Sequence, residues 1–204
     1  MPWRRCATAE LRSPQGLRYH VHSDVYDPHD DTWLLVDAIR VTRGERFLEV
    51  GCGAGLASIH AARDGASVVA TDTNPHAVRL ARSNARLNDV RIEIARADLL
   101  RPIRPGAFDS VAFNPPYLPT GQDDHVARPL DDALAAGPTG RTTLEGFLDA
   151  LAVSKIPRAW IVASSLQEPP TFAELARARG FRARRLATKR LSFERLTVYD
   201  LSVE

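Results

Sequence analysis

Apolar and polar positions along the chain follow two rhythms. After a polar, Arg-rich stretch over residues 1–20, with a turn signal at Ser13-Pro14-Gln15-Gly16, Val21 to Tyr26 alternates as a short strand would. Thr32–Arg40 takes up helical spacing, with Leu34, Leu35, Ala38 and Ile39 on one face. From Arg46 the rhythm is regular. Short apolar runs at Arg46–Val50, Ser67–Asp72, Arg91–Ala95, Phe108–Phe113 and Ala159–Ser164 predict strands. Helical stretches separate several of them: Leu56–Arg63, Asn74-Pro75 to about Leu87, Leu144–Ser154 and Thr171–Arg179. Phe181–Thr188 and Glu194–Val203 predict a closing hairpin.

Strand–helix alternation of this kind predicts an α/β fold, with a mostly parallel sheet covered by helices on both faces. The last two strands lack a crossover helix, so one of them must run antiparallel. The longest irregular stretch runs from Pro115 to about Thr143. A loop that long in a compact domain is usually functional or mobile.

Composition narrows the class. A chain of 204 residues fits a single domain, here a lead-in over 1–40 and a core over 41–204. A net charge of +2 argues against a strongly electrostatic nucleic-acid or membrane protein. Cys6 and Cys52 leave little room for a disulfide framework. His20 and His22 are a close pair, read as a plain strand pair, and we expect no metal site there. The start, MPWRRC, lacks the apolar stretch of a signal peptide, and no run is long enough to span a membrane. The expectation is a soluble, cytoplasmic protein.

Glu49-Val-Gly51-Cys-Gly53-Ala-Gly55 follows a strand and opens a helix. Glycines there let the backbone turn sharply and approach a nucleotide. The last position of the dinucleotide pattern G-x-G-x-x-G is occupied by Leu56. The shorter G-x-G-x-G with an acid before it suits a nucleoside without a pyrophosphate, and sulfonium cofactors fit that description. Asp72, at the end of the next strand, can accept from both ribose hydroxyls. Asp98, after the third, can accept from an adenine amine. Each could equally be a simple cap or turn residue. Acids at three successive strand ends point to the ligand-binding edge of an open α/β sheet.

Asn114-Pro115-Pro116-Tyr117 follows the fourth strand and should share that edge. Amide and aromatic amine nitrogens are poor nucleophiles because their lone pair is delocalised. The Asn114 side-chain oxygen can accept one N–H and the Pro115 carbonyl the other, aiming the lone pair at an electrophile. The prolines stiffen this backbone, and Tyr117 offers a ring face to a planar or cationic group.

Together these motifs resemble the class I S-adenosylmethionine-dependent methyltransferases, in the amino-methylating group that carries NPPY. Val25-Tyr-Asp-Pro-His-Asp-Asp-Thr-Trp-Leu-Leu35 is similar to the entry segment of the HemK-like release-factor glutamine methyltransferases, in their short form without an N-terminal helical domain. The likeness covers roughly residues 21–200. It implies a Rossmann-like seven-stranded sheet with one antiparallel strand near the C-terminus. It implies S-adenosyl-L-methionine as cofactor, with S-adenosyl-L-homocysteine as product. By position it places Thr32, Glu49, Gly51, Asp72, Asp98, Leu99 and Asn114 at the cofactor, beside Gly53 and Gly55 of the glycine turn. It places Asn114, Pro115 and Tyr117 around the target amide. Gly137-Pro-Thr-Gly140-Arg141 matches a segment flanking the family's active site. His29 replaces a small residue there, and Asp27 and Asp30 stand where Glu is more usual.

The resemblance implies N-methylation of a protein glutamine, as in the GGQ loop of release factors. Alternatives are a small-molecule amide or amine, and adenine N6 in nucleic acid, which NPPY also suits. No separate target-recognition segment supports the last. Residues 118–136, with Asp123-Asp124 and Asp131-Asp132, are individual to this chain and should shape the substrate mouth. Arg79, Arg82 and Arg86 recur at helical spacing, and Arg177–Arg190 is richer still; both are expected to be solvated surface. The family's short form often works with a small zinc-binding activator docked along a sheet edge. Here the charged alternation of Arg91–Ala95 favours a chain that is soluble alone.

Overall fold

The computed structural model describes residues 10–118, 136–167 and 171–204. Its centre is a seven-stranded sheet. Among the described residues the strands are β1 (Leu11–Arg12), β2 (Arg18–Tyr19), β3 (Arg46–Val50), β4 (Ser67–Asp72), β5 (Glu93–Arg96), β6 (Ser110–Phe113), β7 (Arg158–Ser164), β8 (Phe181–Arg190) and β9 (Arg195–Val203). The helices among them are α1 (Asp30–Ala38), α2 (Leu56–Arg63), α3 (Pro75–Leu87), α4 (Thr142–Ser154) and α5 (Phe172–Arg177). Strand order is β5-β4-β3-β6-β7-β9-β8. β3 pairs parallel with β4 and β6, while β9 runs antiparallel to both β7 and β8. The expected reversed strand is therefore β9, inserted between β7 and β8.

Both faces of the sheet are covered, as alternation along buried parallel strands requires. Phe47 and Trp160 face a cluster with Leu35 and Val36 of α1, Ile39 just after it, and Leu56 and Ile59 of α2. Leu48, Val111 and Ile161 face the other way, onto Leu144, Phe147 and Leu151 of α4 and Phe172 of α5. Helix starts follow local chemistry. Asn74 caps α3 by accepting the His76 N–H at 2.8 Å, with Pro75 in the first turn. Thr171 and Glu174 form a reciprocal capping box on α5.

The lead-in segment differs from expectation. Val21–Tyr26 is no strand: residues 23–25 turn, and the strand pair is β1 with β2 around the Ser13–Gly16 turn. Inside the run Val25 N–H donates to His22 O at 2.9 Å and closes a turn, and the segment just before it is held by partners that alternation cannot reveal. Asn84 of α3 accepts from His20 N at 2.8 Å and donates to His20 O at 3.2 Å and to Ala54 O at 3.0 Å. Asn88, one turn later, accepts from Arg18 N at 3.0 Å and donates to Arg18 O at 2.6 Å. Two amide side chains on one helix thus satisfy the backbone of the incoming chain as a neighbouring strand would. Helix α1 also starts two residues earlier than predicted, at Asp30. Its buried residues are Asp31, Leu35, Val36 and Ala38, with Ile39 buried at its C-cap and Leu34 only half-buried.

Candidate active site

The carboxyl ends of β3, β4, β5 and β6 open onto a cleft of about 510 Å³. It lies where strand order reverses, between β3 and β6, the place an open α/β sheet offers a ligand. Thr32, Glu49, Gly51, Gly53, Asp72, Asp98, Leu99, Asn114, Pro115 and Tyr117 all line it. Among the cofactor residues expected from sequence, Gly55 does not. It has φ +80°, and a Cβ there would sit 2.9 Å from the Ala81 Cβ of α3. The missing side chain lets the start of α2 lie close to α3. Gly53, with φ +51°, has open space where a Cβ would be, so a ligand can approach its backbone.

The acids divide the work. Asp72 accepts Gly53 N–H at 2.9 Å through Oδ2 and Asn74 N–H at 2.8 Å through Oδ1, fixing the glycine turn to the end of β4. Each oxygen retains a lone pair for a further donor. Burial raises the Asp72 pKa against the pull of these backbone donors. Glu49 is buried and faces the start of α2. There Ser58 donates from its N–H at 2.8 Å and from its hydroxyl to Glu49 Oε2. Burial pushes its carboxyl up to about 8, partly offset by the Ser58 hydrogen bonds. Asp98 is exposed and pairs with Arg101 at 2.9 Å. Leu99, at the rim, holds a left-handed backbone with φ +47°.

Around NPPY, one residue that sequence reasoning left without a role organises the rest. Asp31, only 2% exposed, accepts the Asn114 Nδ2–H at 2.9 Å and the Tyr117 hydroxyl at 3.4 Å on the same Oδ2. Its Oδ1 accepts Thr32 N–H at 2.7 Å. A carboxylate oxygen only accepts, so this contact fixes the orientation of the Asn114 amide. Asn114 Oδ1 is then left buried and without a hydrogen-bond partner. Such an atom is costly unless a ligand donor reaches it. Burial first, and then the Asp31 charge, raise the pKa of both Tyr26 and Tyr117, which keeps both phenols protonated. The signal for Asp31 was present in the sequence: a carboxylate heading an apolar i, i+4, i+7, i+8 stripe on α1.

A second groove of about 370 Å³ shares Tyr26, Asp31 and Tyr117 with the cleft and is bordered by Leu191, Glu194 and Leu196. The Gly137–Arg141 segment forms a turn before α4. Gly140 N–H donates to Gly137 O at 3.0 Å, and Gln167 Nε2 donates to Gly140 O at 3.1 Å. From this region Thr143 reaches the cleft wall. The acidic pairs at 123–124 and 131–132 and Cys6 lie outside the described residues. Arg79, Arg82 and Arg86 are exposed, as expected.

The model of the methyltransferase small domain matches residues 22–135, the stretch that carries the glycine turn, the acids and NPPY. The chain belongs to this family. Within it, a Methanocaldococcus jannaschii protein provisionally named a protein N5-glutamine methyltransferase is 36% identical, over 91% of this chain and 95% of its own. The methyltransferase HEMK2 of Mus musculus is 30% identical, over 88% of this chain and 90% of its own. Among solved structures, a chain of the E. cuniculi Mtq2–Trm112 complex, responsible for methylation of the eRF1 translation termination factor, superposes with a TM-score of 0.73. It is 26% identical and covers 89% of this chain and 99% of its own. The α/β sheet with its reversed penultimate strand is thus the fold of a methyltransferase, and the chain is an enzyme of that family.

Proposed function

We propose that the chain transfers a methyl group from S-adenosylmethionine to the side-chain amide of a protein glutamine, the acceptor being a release factor. The observation that carries this reading is the buried, unpartnered Asn114 Oδ1, held in place by Asp31. The relatives named for glutamine methylation and for methylation of the eRF1 termination factor support the choice of acceptor.

The cleft suits the cofactor on three counts. Its volume lies within the roughly 300–1,000 Å³ usual for small ligands. Gly53 leaves its backbone open, and Asp72 ends β4 with acceptor capacity to spare. When bound, S-adenosylmethionine supplies a methyl group activated by its sulfonium. Thr32, Glu49, Gly51, Gly53, Asp72, Asp98 and Leu99 form the cofactor wall in this reading.

The acceptor amide enters from the second groove, across the wall made by Tyr26, Asp31 and Tyr117. Asn114 Oδ1 accepts one of its N–H groups and the Pro115 carbonyl the other. Both acceptors are restricted in advance, Asn114 by Asp31 and the Pro115 carbonyl by the ring of Pro116 that follows it, so little reorganisation remains at the moment of transfer. Tyr117 stays protonated and serves by its ring face and by its hydroxyl on Asp31; it is no base. Once methylated, the nitrogen is acidic enough to lose its proton to water. Proximity and orientation are worth up to about 7–11 kcal/mol in favourable cases.

Strand β5 is an edge of the sheet, and its Glu93, Ala95 and Arg96 are exposed. A charged edge resists strand pairing. We read the chain as self-sufficient, although the E. cuniculi relative was solved with Trm112. The test is incubation of the pure chain with S-adenosylmethionine and the host's release factors, followed by peptide mass mapping. A new methyl on the GGQ glutamine is expected. Cofactor binding with no methylated release factor, even with a Trm112-like subunit added, would overturn the choice of acceptor.

A further inference from the structure

The lead-in turn meets the first turn of α3 on the outer side of the cleft wall, and the meeting brings together His22, Asp24 and His76. One donor atom from each lies within 4.8 Å of the others. His22 Nδ1 and Asp24 Oδ2 are 3.7 Å apart, and the His22 and His76 rings are 4.9 Å apart between centroids, tilted by 38°. None of the three lines the cleft. We propose that these residues form a binding site for a borderline divalent cation such as zinc.

Three arguments converge. Donors bound to zinc at about 2.0–2.2 Å in tetrahedral geometry stand roughly 3.3–3.5 Å apart, so the closer pair already approaches the required span. All three side chains are partly exposed and can close the remainder by rotation. The His22 tautomer is also the right one. Its Nδ1 accepts the Asp24 N–H at 3.1 Å, which puts the ring lone pair on the atom beside Asp24. A cation would take that lone pair in place of the amide. Two imidazoles and one carboxylate favour zinc, cobalt or nickel over magnesium or calcium, which prefer all-oxygen shells.

The backbone beneath is held independently. Asn74 donates to Asp24 O at 2.6 Å and also caps α3, so the turn and the helix already share one anchor. Asn74 and Pro75 line the cleft. A cation here would clamp the lead-in segment to the helix that forms part of the cofactor wall. This proposal stands apart from the choice of methyl acceptor, because its readout is the metal alone.

The experiment is titration of the tag-free, chelator-treated full chain with zinc chloride by calorimetry, and with cobalt(II) by visible absorption. We expect one ion per chain, a raised melting temperature with zinc, and a cobalt spectrum of nitrogen and oxygen ligation. His76→Gln and Asp24→Asn should each weaken binding at least about tenfold. His60→Gln, altering a histidine outside the cluster, should leave it unchanged. No stoichiometric binding by the unaltered chain would overturn the proposal whatever the variants do. So would binding that His76→Gln and Asp24→Asn both leave intact.

Discussion

The carboxylate of Asp31 and the amide of Asn114, 83 residues apart in the chain, meet at 2.9 Å on the cleft wall. One belongs to the first turn of α1 and the other follows β6. Their contact settles which end of the Asn114 amide is free to accept. Asp31 is therefore a positioning residue, acting through Asn114. Asp31→Asn should lower kcat on the order of 10–100-fold while the cofactor Kd stays within a few-fold. Separate measurement of kcat, acceptor KM and cofactor Kd checks this. A loss confined to cofactor affinity would remove Asp31 from the acceptor side.

Asp72 has the opposite signature. It holds Gly53 and Asn74 and faces the cleft from the end of β4. Asp72→Ala should weaken cofactor binding about 10-fold or more, the cost of a lost charged acceptor being roughly 1.5–3 kcal/mol. At saturating cofactor, turnover should recover to near its original value. Equilibrium binding and saturation kinetics distinguish the two residues.

Glu49 makes stability depend on pH. Its carboxyl is raised by burial from 4.5 to about 8 in the folded chain. Above pH 4.5 the unfolded chain gives up this proton while the folded chain keeps it until about 8. Its contribution is therefore fully present below pH 4.5 and is lost as pH rises toward 8. Glu49→Gln keeps an oxygen for Ser58 and removes the titration. The variant should gain on the unaltered chain progressively across that window, by on the order of a few kcal/mol at its upper end. Denaturant melts at several pH values measure this, and a pH-independent difference would contradict it.

Glu194 borders the groove from which the acceptor is proposed to enter, and it is not among the residues lining the cofactor cleft. Glu194→Lys should change acceptor KM severalfold and leave the cofactor Kd unaltered. An effect on the cofactor alone would place the acceptor entrance elsewhere.

Much of this architecture is legible in the chain. The run Arg46–Val50, Gly51–Gly55, Leu56–Arg63 is observed as strand, turn and helix with the predicted limits, because local signals there agree with tertiary packing. The reversed strand follows from the missing crossover helix. What sequence hid depends on distant partners. Val21–Tyr26 alternates like a strand, yet residues 23–25 turn, and Asn84 and Asn88 anchor His20 and Arg18 just before that run. Gly55 reads as a cofactor glycine by position, while its neighbour is Ala81. Asp31 stands just before the predicted helix and has no role there, and only the approach of β6 gives it Asn114 and Tyr117.

Asn84 shows how much rests on such a distant contact. It is fully buried and serves His20 and Ala54 at once. Asn84→Leu would leave those backbone groups unpaired, at roughly 1–3 kcal/mol for a buried group. We expect a melting temperature several degrees lower, with the lead-in segment becoming the first site of proteolysis. Equal stability would mean that the segment is held by its apolar contacts alone.

The central claim is that Asn114 aims an acceptor nitrogen and contributes little to holding the cofactor. Single-turnover methyl transfer by Asn114→Ala, with cofactor Kd measured in parallel, tests it most directly. The account predicts a transfer rate lower by about 10³-fold or more, at a cofactor Kd within about threefold of the original. Transfer retained at near the original rate would contradict it.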